Sequence, residues 1–184
     1  MKSVLLALIL SLSLTSTTIA QKKESMEQKG NRKLVAYFSA TGTTRAVAQR
    51  LANLSGADLY EIQPQVSYTD ADLNWRDKKS RSTIEMNDVN ARPATKGCVA
   101  ELANYDTIYI GFPIWWYVAP RIINTFIEDH NLEGKTLYLF ATSGGSSIDN
   151  CLKELKKSYP SLNWNSDARL LNHPTDDELK AWMR

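Results

Sequence analysis

YFSATGTTR, residues 37–45, decides how this chain folds. The short apolar run Leu34 to Phe38 ends on it and reads as a buried strand. Behind it Val47, Leu51 and Leu54 recur at i, i+4, i+7. Ala48 and Ala52 widen that stripe, and Gly56 closes it. This is the pattern of an amphipathic helix. The stretch between is a turn of small hydroxyl residues with one glycine. Such a turn aims unpaired backbone N–H groups outward at a helix N-terminus, where the helix dipole adds positive potential. Ser39, Thr41, Thr43 and Thr44 can donate further hydrogen bonds, Gly42 permits tight curvature, and Ala40 falls within the same ligand-binding turn. The result is a phosphate cradle. It carries neither GxxxxGK[ST] nor GxGxxG, which disfavours a triphosphate with magnesium and a dinucleotide. A single phosphate monoester fits it best.

The same alternation continues along the chain. Asp58 to Ile62, Asp106 to Gly111, Thr136 to Thr142 and Ala168 to Leu171 read as further strands. Helices are expected over Pro120 to Glu128, around Ile148, Leu152 and Leu155, and over Thr175 to Met183, which opens on Asp176, Asp177 and Glu178. Alternating strands and helices imply an α/β, doubly wound parallel sheet. Five strands in this length give the order 2-1-3-4-5. Ligands of such sheets bind at the strands' carboxyl ends, near the switch point between strands 1 and 3.

One segment, Pro64 to Asn104, breaks the rhythm between strands 2 and 3. In it Thr69 or Asp70 could cap a short helix through Trp75, and residues 96–104 read as the crossover helix. A long connection at the ligand edge is often functional.

The chain's ends and composition bound what it can be. Lys2, the apolar Val4 to Leu14 and the small-x-small Thr18-Ile19-Ala20 read as a secretory signal peptide over residues 1–20, hence an exported, periplasmic protein. Removing it leaves 184 − 20 = 164 residues. Residues 21–32 read as a polar, disordered tether and 33–184 as one domain. The formal net charge of +2 gives no electrostatic argument for nucleic acid. Two histidines and two cysteines match no metal motif. Cys98 and Cys151, each placed on a helix at separate parts of the sheet, are expected as free thiols.

Two more loops fall where a ligand would lie. After strand 3, Pro113, Ile114, Trp115, Trp116 and Tyr117 offer apolar and aromatic walls for a planar ring, with one tryptophan expected in the core. After strand 4, Thr142, Ser143, Gly144 and Gly145 let backbone approach a flat ligand closely, ahead of a cap at Ser146 or Ser147.

SATGTT resembles the [ST]-x-T-G-x-T phosphate loop of the flavodoxin family, and Ser39, Thr41, Gly42, Thr43 and Thr44 fall on the residues that hold the flavin mononucleotide (FMN) phosphate there. FPIWWYVAPRIINTFIE resembles the corresponding segment of flavodoxin-fold quinone reductases. From residue 33 onward, the YTDADLNW and SRSTIEMND blocks included, the chain is similar to flavodoxin-like proteins of Bacteroides-type bacteria.

The resemblance implies an FMN cofactor and an oxidoreductase. Its partners would be an electron donor and a quinone-like acceptor or a redox protein. Tyr68, Trp75, Arg76, Arg81 and Arg92 could cover the ring or meet the acceptor, and no catalytic acid or base is named; His130 reads as a helix-end residue. Flavodoxins often place glycine after strand 3, where a peptide flip requires positive φ. None lies between Phe112 and Pro120, and bulky residues resist positive φ. The chain also lacks the acidity of one-electron shuttles. Both features lean toward two-electron chemistry. A one-electron carrier docking on a redox partner is the second reading, and a flavin-free binding module of the same fold the third.

Overall fold

The computed structural model describes residues 32–183. The expected signal peptide and almost all of the expected tether lie outside the described residues. Arg32, expected to end the tether, opens the first strand instead. In chain order the elements are β1 (Arg32–Tyr37), α1 (Thr43–Ser55), β2 (Asp58–Glu61), α2 (Arg81–Asn87), β3 (Tyr105–Pro113), α3 (Arg121–Asp129), β4 (Thr136–Thr142), α4 (Asp149–Ser158), β5 (Asn163–Trp164), β6 (Arg169–Leu170) and α5 (Asp176–Trp182).

The sheet is parallel, in the order β2-β1-β3-β4-β5, as the alternation of elements implies. Its fifth position is made of two pieces. β5 pairs with Thr136 and Leu137, and β6 with Phe140 and Ala141. Between them the Asp167 N–H bonds the Asn165 side chain at 2.8 Å, an Asx turn that lifts the chain off β4. The sequence pointed to only the second piece.

Side chains alternate across the sheet and build two cores. Leu34 and Ala36 of β1 and Phe38 just after it join Ile108, Ile110, Phe112, Leu137 and Leu139 beneath α3 and α4. Val35 and Tyr37 face the other way with Tyr109 and Phe140, under α1 and α5. On that face Gly111 stands opposite Phe140, and a Cβ added to it would lie 2.0 Å from the Phe140 ring. The absence of a side chain there lets the ring cross β3 while α1 stays close to the sheet. At the chain's far end Thr175 and Glu178 form a capping box that starts α5.

The excursion after β2 is ordered, and differs from the expected pattern. It has a closed neck: the Gln65 N–H bonds Ala94 O at 2.7 Å and the Lys96 N–H bonds Gln63 O at 2.8 Å. The expected helix after Thr69 is a single turn, in which Thr69 and Asp72 bond each other reciprocally. The true helix, α2, is capped by Ser80, whose Oγ accepts the Thr83 N–H. No helix spans 96–104. Gly97 and Glu101 both take positive φ, which breaks helical winding, and only a 3-10 turn forms at Leu102–Asn104.

Cys98 therefore lies in irregular chain and is exposed, while Cys151 is buried in α4 and both thiols are free. His130 takes a structural part. Its Nε2 accepts the Val99 N–H at 3.0 Å and its Nδ1–H donates to Phe126 O at 2.8 Å, which pins the start of β3's approach to the end of α3. Among the described residues no helix is long and apolar enough to cross a membrane, and no cluster of ligating side chains could hold a metal.

Candidate functional site

Three loops meet at the carboxyl edge of the sheet: residues 38–42 after β1, 114–120 after β3 and 143–148 after β4. The first turns on Gly42, at φ 92°, a left-handed conformation that other residues rarely adopt. The Gly42 N–H bonds Ser39 Oγ at 3.1 Å, which closes the turn. No side chain caps α1 and no acidic residue sits in its first turn. Thr41 and Thr43 are exposed, and their N–H and hydroxyl groups have no intramolecular partner among the described residues. A Ser/Thr-rich turn that served only its own helix would have spent a hydroxyl on capping; this one leaves the positive helix end open to an anion. Arg45 is paired with Glu61, so the donors left at the cradle are amides and hydroxyls.

Thr44 stands apart from the expected set. It is buried, and its Oγ1 meets Thr142 Oγ1 at 2.8 Å. That bond ties the start of α1 to the end of β4, so Thr44 and Thr142 hold two loops together from beneath.

The loop after β3 departs from the expectation that a glycine-free segment avoids positive φ. Trp116 has φ 46° and Tyr117 φ 67°. Trp115 and Val118 flank them with bonds in both directions, at 3.1 and 3.0 Å. This is a two-residue hairpin turn of the primed kind, which favours Asn-Gly over two aromatics. The strain persists because its surroundings fix it. Tyr117 O accepts from Asn150 Nδ2 at 3.1 Å and from the Cys151 thiol at 3.7 Å, both in the first turn of α4. Burial pushes that thiol up to about 12, so it stays a protonated donor. Replacing Tyr117 by glycine should relieve about 1–2 kcal/mol of left-handed strain and return about 0.4–1 kcal/mol through the freer unfolded chain. A net gain near 0.5–1 kcal/mol is expected in urea unfolding of the apo-protein. A net loss would mean that the exposed Tyr117 ring holds the turn.

The aromatic residues divide by role. Trp115 is the half-buried one and meets Phe38 and Tyr68 edge-on, with ring centres at 5.5 and 5.3 Å. Trp116 and Tyr117 project outward, 36% and 69% exposed. Tyr68 lies under this group. Its hydroxyl donates to Glu85, and burial together with that carboxylate pushes the phenol far above its usual range. Arg81 bonds Glu85 at 2.6 Å and lies over the Tyr68 ring, and Arg92 pairs with Glu128 on α3. Neither arginine is free to meet a ligand, contrary to expectation. Trp75 and Arg76 remain exposed, with the guanidinium over the indole at 4.9 Å.

Many of the amides after β3 and β4 are already engaged. The Ile114 N–H bonds Thr142 O, and the Ser143 N–H bonds Asn172 Oδ1 at 2.8 Å while Asn172 Nδ2 returns to Ser143 O at 2.8 Å. Ser143 Oγ accepts the N–H groups of Gly145 and Ser146 and shapes the turn, while Ser147 Oγ accepts the N–H of Asp149, the first residue of α4, at 3.2 Å; the N-cap position itself falls on Ile148. The amides of Gly144, Trp116 and Tyr117 stay without an intramolecular acceptor among the described residues. Open space lies where a Cβ would project from Gly144 or Gly145.

These loops enclose two clefts that share Thr41, Pro113, Ile114 and Trp115. One, of about 500 Å³, is walled by Leu73, Trp75, Trp116 and Tyr117, with Ala40, Ser82 and Ser146. The other, of about 360 Å³, lies against Thr43, Thr142, Ser143, Gly144, Asn172 and His173. A nucleotide-sized ligand fits this volume, with an anion site at one end and aromatic walls at the other. Sequence reasoning had not found Leu73, Ser82, Asn172 or His173.

The flavodoxin family model matches residues 32–184. No curated protein matches the chain. Among solved structures, a candidate flavoprotein of Bacteroides eggerthii DSM 20697 shares 55% identity over 84% of this chain and 96% of its own, with a TM-score of 0.81. One of Bacteroides uniformis ATCC 8492 also shares 55%, over 84% and 98%, with a TM-score of 0.80. A flavoprotein of Lactobacillus acidophilus NCFM, solved in complex with FMN, shares 21% over 84% of this chain and all of its own, with a TM-score of 0.67, a likeness of fold. With the match running from the first residue of β1 to the end of the chain, this protein belongs to the flavodoxin family.

Proposed function

We propose that this protein binds FMN and passes electron pairs from a reduced donor to a quinone-class acceptor. The observation that carries the reading is the uncapped start of α1, open to an anion and continuous with a cleft of aromatic walls. Thr41, Thr43 and the amides around Gly42 would hold the phosphate, with Ser39 shaping the turn. Trp115, Trp116 and Tyr117 would wall the ring. The free amides of Gly144, Trp116 and Tyr117 would donate to its polar edge, close to where charge gathers on reduction. Bound FMN supplies reversible hydride and electron chemistry. The protein's part is to bind, orient and exclude water.

The two-electron reading rests on the rigidity of the turn after β3. Positive φ is already present at Trp116 and Tyr117, so a missing glycine does not by itself bar a peptide rearrangement. Rigidity comes instead from the Asn150 and Cys151 bonds to Tyr117 O, which a rearranged turn would strain. The one-electron carrier is the second reading, favoured by that same φ pattern and by Trp75, Trp116 and Tyr117 exposed at the cleft mouth. Export, expected from residues 1–20, would make the donor a membrane or periplasmic component, since reduced nicotinamide is scarce outside the cytoplasm.

Anaerobic stepwise reduction of the FMN-loaded protein with dithionite, then reoxidation by menadione, tests the proposal. Direct conversion of oxidised to fully reduced flavin and rapid reoxidation are expected. Abundant radical at the midpoint with slow reoxidation would favour the one-electron carrier. NADH and NADPH in place of dithionite probe the donor.

A further inference from the structure

We propose that Ser82 donates a hydrogen bond to a ring carbonyl of the planar molecule in the larger cleft, and so helps select which ring that cleft accepts. Ser82 is 1% exposed and lines the cleft among Leu73, Trp75 and Trp115. Its Oγ has no hydrogen-bond partner among the described residues. Buried hydroxyls in folded proteins are nearly always paired, and one that is not calls for a partner the protein itself does not supply. Among the described residues two other buried polar atoms share that condition, Arg121 Nε and Thr125 Oγ1, and neither residue borders either cleft.

The local structure explains why Ser82 has no partner of its own. A helical serine usually satisfies its hydroxyl on the carbonyl three or four residues back. Ser82 is the second residue of α2, so those carbonyls, of Lys78 and Lys79, lie before the cap and outside the helix. The capping position is taken by Ser80, whose hydroxyl also bonds Thr83. Meanwhile the residue is held in place from several sides. Its N–H bonds Asp72 O at 3.0 Å, Asp72 is locked to Thr69, and the adjacent Arg81 reaches Glu85 and Val66 O. A hydroxyl held by such bracing, beside the apolar side chains of Leu73, Trp75 and Trp115, is the arrangement of a specificity contact. It also gives the long excursion a part in the site, since Leu73, Trp75 and Ser82 all come from it.

The walls require a flat, conjugated occupant, and the hydroxyl requires an acceptor at its edge. Two sources offer that chemistry: the flavin ring itself, or the quinone-class acceptor stacked near it. The inference rests on the proposed function for its choice of ring, while the orphaned hydroxyl stands on geometry alone.

The test compares wild type with Ser82→Ala and Ser82→Cys in three measurements: thermal unfolding of the apo-protein, FMN titration of the apo-protein, and menadione binding to the FMN-loaded protein. Removing an unpaired hydroxyl should leave the apo-protein as stable or more stable, yet weaken one ligand by about fivefold to tenfold, the worth of one hydrogen bond. Ser82→Cys, a weaker donor, should fall between. Loss of FMN affinity assigns the hydroxyl to the flavin ring. Loss confined to menadione assigns it to the acceptor. Unchanged affinity for both, or a marked fall in the unfolding temperature alongside weaker binding, overturns the proposal in favour of a packing role. A wild-type protein that fails to bind FMN refutes the proposed function separately. Menadione binding to the apo-proteins then decides the Ser82 question, and no Ser82-dependent binding there overturns it.

Discussion

Replacing Gly111 by alanine should destabilise the apo-protein by about 3 kcal/mol, the upper part of the range for overpacked cores. The ideal Cβ would fall 2.0, 2.4 and 2.6 Å from three atoms of the Phe140 ring. Phe140 is fully buried and meets Trp182 edge-on, so it has no open space to enter. Either β3 or the ring must move, and both carry the site: β3 leads into the aromatic turn, and β4 into Thr142. Urea unfolding at matched m-values gives the cost. The double variant Gly111→Ala with Phe140→Leu should recover part of it. A loss under about 0.5 kcal/mol, the scale of an ordinary surface change, would show that the glycine has no steric role.

Trp115 and Trp116 are adjacent in sequence and should behave in opposite ways. Trp115→Ala removes a ring packed on Phe38 and Tyr68 and should cost the apo-protein about 3 kcal/mol, at the low end for a large aromatic because Trp115 is only half-buried. Trp116→Ala removes an outward ring and leaves a left-handed alanine, so apo stability should change by less than about 1 kcal/mol. FMN affinity should nevertheless fall about tenfold, as loss of a stacking partner worth about 0.5–1.5 kcal/mol beyond its buried area implies, with brighter residual flavin fluorescence. Equal loss of stability in both variants would contradict this division between a packing ring and a ligand ring.

The sequence was most legible where function and fold share a local signal. Leu34 to Thr44 carries a strand, a turn and a helix start in consecutive residues, and all three stand where that stretch puts them. Gly144 and Gly145 marked the third loop for a similar reason. The excursion was opaque because α2 buries Ser82, Thr83 and Met86 while Ile84 lies 57% exposed, the reverse of an amphipathic stripe. Val99 and Leu102 have helical spacing, but backbone turns at Gly97 and Glu101 break the helix that this spacing suggests. β5 is two residues long, too short for any alternation to register. Asn172 reaches the site through bonds to Ser143, 29 residues away, and no pattern near Asn172 signals that contact. The strained turn at Trp116 and Tyr117 ran against propensity; its support comes from α4, across the site rather than along the chain.

Equilibrium titration of the apo-protein with FMN and with riboflavin, in the same buffer, tests the central claim most directly. The two ligands share a ring and differ by one phosphate. If the open end of α1 with Thr41 and Thr43 is an anion cradle, two or more charge-assisted bonds at about 1.5–3 kcal/mol each should separate them by on the order of 10³-fold in favour of FMN. Equal affinities would contradict the cradle, and with it the reading of the turn at residues 39–44 as the anchor of the cofactor.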